Sequence, residues 1–137
     1  MKTKKNFKNR HAAHQLNYGS KKHISQMDDL EKDFLLRKFT AIDKNDWRFT
    51  DYSEKRFIER QIDPTHFLSV WVNAELVEFH HKEKKNRILL RSKQIHNDSQ
   101  VCAVFDLTNQ VITTVYLNWV NNKHENLKRQ FYDKDAD

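Results

Sequence analysis

Apolar positions fall into two regimes along the chain. Up to Val72 they recur at helical spacing: Met27, Leu30, Phe34, Leu35 and Phe39 form one stripe, and Phe67, Leu68, Trp71 and Val72 form another. After Ala74 the pattern becomes that of strands, in Leu76-Val77-Glu78-Phe79, Ile88-Leu89-Leu90, Val101 to Phe105 and Val111 to Leu117.

Polar residues mark the ends of these segments. Ser25 followed by Asp28 predicts the start of a helix running to about Ala41, and Thr50 or Asp51 caps a short helix that carries Arg56, Phe57 and Arg60. Asp63-Pro64 sets a cap before a proline at the first position of a third helix. Asn97-Asp98-Ser99 and Thr108-Asn109 are turn chemistry, short enough that successive strands pair antiparallel. The expectation is an α+β fold, N-terminal helices packed on a four-stranded antiparallel β-meander, with the third and fourth strands at its centre.

Residues 1–24 show no steady period and predict a flexible basic arm; 25–120 form the single α+β domain. Residues 121–137 are a polar tail, in which Leu127 and Phe131, four apart, permit a short helix.

Charge sharpens this division. The first 23 residues hold Lys2, Lys4, Lys5, Lys8, Arg10, Lys21 and Lys22 and no acid, whereas the remaining 114 hold 18 cations against 19 acids. A basic arm on a charge-balanced domain points to a polyanion, so these seven cations are candidate nucleic-acid contacts, with RNA or the ribosome as the expected partner.

With one glycine, Gly19, and one proline, Pro64, the chain cannot build the glycine-rich loops that cradle nucleotide phosphates. No cofactor is expected. Cys102, the single cysteine, lies in an apolar run and reads as a buried thiol in a reducing compartment. His80 and His81 are adjacent and face opposite ways on a strand, and no metal-ligand spacing emerges. No apolar run approaches the roughly 18 residues of a membrane span, so the expected location is cytoplasmic and away from membranes.

The stretch from Phe49 to Ile62, with Tyr52, Arg56, Glu59-Arg60 and Ile62, resembles the opening of a family of small bacterial and phage domains. Arg87-Ile88-Leu89-Leu90 and Val111-Ile112-Thr113-Thr114-Val115-Tyr116 are similar to that family's second and last strands. The family is grouped with RelE-like and barnase-like RNases, and the resemblance covers about residues 49–117. It implies a RelE-like fold and a metal-independent endoribonuclease of toxin type. The chain departs from the family pattern with Tyr52 in place of a histidine and Gln61 in place of a glycine. Neutral tyrosine is a poor base at pH 7.

Metal-free RNA cleavage needs a proton acceptor, cations for the phosphorane and an acid for the leaving oxygen. Tyr52, Arg56, Arg91 and Tyr116 are the candidate catalytic set, and Arg60 and Lys93 are further phosphate contacts. Arg91 and Lys93, two apart on a strand, project from one face with Leu89. The alternative is a catalytically silent module that binds nucleic acid or a host protein, of a kind a phage encodes. A protein partner or inhibitor is compatible with either. Convergence of the four candidate side chains on one phosphate separates the two readings.

Overall fold

The computed structural model describes residues 20–122. It is an α+β fold in which three helices pack on one face of a six-stranded mixed sheet. The strands are β1 (Ser20–His23), β2 (Arg48–Phe49), β3 (Ala74–Lys82), β4 (Lys85–Ser92), β5 (Ser99–Asp106) and β6 (Val111–Trp119), arranged β1-β3-β4-β5-β6-β2.

The helices begin at side chains that satisfy their first N–H groups. Asp28 accepts from the Glu31 N–H at 2.8 Å and starts α1 (Asp29–Thr40), with acids in its first turn and Arg37 and Lys38 in its last. Ser25, the expected cap, belongs instead to a 3-10 turn, Ile24–Gln26, capped by His23. Thr50 and Ser53 form a reciprocal cap for α2 (Asp51–Glu59). Asp63 caps α3 (Pro64–Val72) from just ahead of the proline.

Two corrections concern the sheet. The four expected strands are β3 to β6, successive antiparallel neighbours, but β1 and β2 extend them to six, and β2 runs parallel to β6. Neither added strand has an apolar alternation to announce it. β1 lies within the expected arm and turns Lys22 inward to Glu31 at 2.6 Å; β2 is two residues long, held beside β6 by Arg48 N–H to the Gln110 carbonyl and Thr50 N–H to the Ile112 carbonyl, both 3.3 Å. The middle of the sheet is β4 and β5, one strand earlier than the pattern implied.

The core lies between sheet and helices. Leu35 and Phe39 of α1 and Phe67 and Val70 of α3 meet Leu76, Ile88, Leu90, Phe105, Ile112 and Val115. Its centre is aromatic: Phe105 lies 4.8 Å from Phe39, 5.1 Å from Trp47 and 5.4 Å from Trp71, all edge-on. Each such pair adds about 0.5–1.5 kcal/mol beyond its buried area. Trp71 thus joins the core, whereas Trp119 is exposed. The opposite face carries a smaller cluster of Val77, Leu89 and Cys102, with Val104 and Tyr116 against it. Cys102 is fully buried, as its apolar context predicts. No described helix is long and apolar enough to cross a membrane.

Candidate nucleic-acid interface

The register of the sheet separates the expected catalytic set into two groups. Tyr52 and Arg56 lie one turn apart on α2, the guanidinium 5.0 Å from the Tyr52 ring centroid and 3.0 Å from Glu59. α2 packs on the core face, where Ser53 Oγ donates to the Ile112 carbonyl at 2.5 Å and Phe57 joins the main cluster. Arg91 pairs with Cys102, and Cys102 with Tyr116, so Arg91 and Tyr116 share a transverse row on the other face. The sheet stands between the two pairs, and the four side chains do not converge on one phosphate.

Arg91 is 1 % exposed and its guanidinium is occupied. Nε donates to Gln100 at 2.7 Å, and the two terminal nitrogens donate to the carbonyls of Asn122, Trp119 and Val120. Burial, and after it the Cys102 thiol, push the Tyr116 hydroxyl above its ordinary range, so it holds its proton at every physiological pH.

The expected phosphate contacts scatter as well. Lys2, Lys4, Lys5, Lys8 and Arg10 lie outside the described residues. Lys22 faces Glu31, and Arg60 donates to the Val115 carbonyl at 2.6 Å, tying α2 to β6. Lys93 follows the end of β4 and lines a cleft beside β3. Lys21 projects from the face opposite the helices, 3.5 Å from Glu78.

A basic surface that the strand pattern concealed lies next to Lys21. The turn of the β3–β4 hairpin, residues 82–87, contains Lys82, Lys84, Lys85 and Arg87 against one acid, Glu83. Lys82 pairs directly with Lys85, a like-charge pair that costs the hairpin stability, and none of the four makes an ion pair among the described residues. Lys21, His80 and Arg87 follow one another across β1, β3 and β4. The electrostatic result is visible at His80. Burial, then Lys21, Arg87, Lys82 and His81, pull its imidazole down to about 4, so it is neutral amid cations. The signal was present in the sequence as Lys-Glu-Lys-Lys-Asn-Arg, but as a hairpin tip it reads as ordinary solvated turn.

Ser20, where the described chain begins, pairs with His81 at the turn end of this hairpin. The acid-free segment before it therefore joins the fold beside the basic tip. Among the described residues no group of three or more His, Cys, Asp or Glu is arranged to hold a metal. Comparison with protein-family models, curated proteins and solved structures returned no match.

Proposed function

We propose that this protein is an RNA-directed binding module in which the basic arm and the β3–β4 hairpin act as one polyanion surface. The observation that carries this reading is the pairing of Ser20 with His81, which joins the arm's cations to Lys82, Lys84, Lys85 and Arg87. Contacts to phosphates give salt-dependent affinity with little sequence preference. The resemblance of residues 49–62, 87–90 and 111–116 to domains grouped with RelE-like RNases favours RNA, or the ribosome, over DNA, and with it a cytoplasmic site of action.

The separation of Tyr52 and Arg56 from Arg91 and Tyr116 favours the silent module over the endoribonuclease. Fluorescence anisotropy with a labelled single-stranded oligoribonucleotide tests the reading across a salt series. Replacing Lys82, Lys84 and Lys85 together by alanine, or deleting residues 2–18, weakens binding and flattens the salt slope by about 0.7 for each phosphate that the protein no longer neutralises. Unchanged affinity in both variants refutes it. RNA cut in EDTA by the wild type and spared by Arg56→Ala returns the endoribonuclease to first place.

A further inference from the structure

The edge of β3 is covered along only part of its length. β1 pairs with Glu78 to His81 and stops at His23; the chain then turns away through Ile24–Gln26 into α1. Beyond that point Ala74–Val77 have β4 on one side and no strand among the described residues on the other. Every second residue of such an edge turns its N–H and C=O outward, a template for another strand.

A cleft of about 320 Å³ runs along this open edge. Its far wall is Ile24, Lys32 and Leu36, so an incoming strand has apolar side chains to meet as well as backbone. His23 stands at one end, where β1 stops, and Lys93 at the other, its N–H bonded to the Asn73 carbonyl just ahead of β3 at 3.0 Å. The charge is lopsided: two lysines and a histidine face the cleft, with Glu75 the single acid in its lining. Lys32 has an acidic neighbour in Asp29 at 3.5 Å, but that carboxylate is fully exposed on the outer side of α1.

We infer that the Ala74–Val77 edge is a docking site for an extended acidic peptide segment of a partner protein, which adds a strand to β3 and sets its carboxylates against Lys32 and Lys93. The four edge residues match about 13 Å of extended chain. Backbone pairing supplies the affinity, and alternate apolar and acidic side chains, towards Ile24 and Leu36 and towards the lysines, supply the choice of partner. This site is separate from the hairpin surface and stands or falls independently of the RNA reading.

The probe is a labelled synthetic peptide, Val-Glu-Val-Glu-Val-Glu, added to the full chain, with amide hydrogen exchange followed by NMR. The expected result is slowed exchange, tenfold or more, at outward amides of Ala74–Val77. The double variant Lys32→Glu/Lys93→Glu weakens the peptide about tenfold or more, while Lys84→Ala/Lys85→Ala leaves it within twofold. A peptide N-methylated on alternate residues fails to bind. The proposal is overturned by any of four outcomes: protection confined to other residues, equal binding of the N-methylated peptide, equal binding of Val-Lys-Val-Lys-Val-Lys, or Ala74–Val77 amides already slow in the free protein. Protection of those same amides by an oligoribonucleotide and not by the peptide assigns the cleft to RNA and overturns it too.

Discussion

Arg91 and Gln100 lock each other across β4 and β5: Arg91 Nε donates to Gln100 Oε1 at 2.7 Å, and Gln100 Nε2 turns back to the Ser92 carbonyl at 3.0 Å. With the amide fixed, the guanidinium reaches the carbonyls of Trp119, Val120 and Asn122 and pins the end of β6 to the sheet. Removing Gln100 leaves part of a buried cation unsatisfied. Gln100→Ala is expected to lower stability by about 1–3 kcal/mol, and Arg91→Lys by more, since an ammonium cannot reproduce the planar fork. Urea denaturation midpoints check both, and an Arg91→Lys protein as stable as the wild type would contradict the structural role.

His80 gives a pH dependence with a definite sign. Its imidazole falls from 6.5 unfolded to about 4 folded, through burial and the cations of Lys21, Arg87 and Lys82. Between those values the unfolded chain binds more protons than the folded one, so this group lowers stability as pH drops through the window. Thermal unfolding of wild type and His80→Gln at pH 7 and pH 5 should show a smaller loss in the variant. Equal losses would mean that the histidine does not sense the patch.

Cys102 is expected to be silent towards thiol reagents in the native protein. It is fully buried, and desolvation pushes its thiol up to about 11, so the reactive thiolate is scarce and shielded at pH 8. Labelling with a chromogenic disulfide should proceed at the rate of unfolding and become immediate in denaturant. Fast labelling of the folded chain would contradict the packing of this face.

Gln61 occupies a backbone position that favours glycine. It follows α2 with φ 52°, and the Ile62 N–H bonds to the Phe57 carbonyl while the Gln61 N–H bonds to that of Ile58. This pairing closes a helix through a left-handed residue. The domains that residues 49–62 resemble carry glycine there. Gln61→Gly should raise stability by about 1 kcal/mol by relieving the Cβ contact; a lower unfolding midpoint would overturn that account.

Much of the fold was legible because its signals are local. Thr50 and Asp63-Pro64 announced α2 and α3, and Phe67 and Trp71 identified the buried side of α3. β1 and β2 were not legible, since they exist only through pairing with residues far along the chain. The site was harder to read for a related reason. Spacing put Arg91 and Leu89 on one face, which the register confirms, but whether that face met solvent or the carbonyls after Trp119 depended on how β6 ends. The basic hairpin was written plainly in residues 82–87, yet nothing local tied it to the arm until β1 set Ser20 beside His81.

A pull on the chain ahead of Ser20 enters the sheet through β1. This strand runs antiparallel to β3 with its first residue beside His81, at the turn end of the hairpin. Tension along that axis therefore loads all the pairs from Ser20 and His81 to His23 and Glu78 in shear, rather than peeling them apart one at a time. Lys22, held by Glu31 from α1, adds a side-chain rivet to the same strand. Tethered by its N-terminal segment to a moving polymer, the domain would resist with the strength of a whole strand, and its first mechanical failure would be the release of β1 and the baring of the remaining edge of β3.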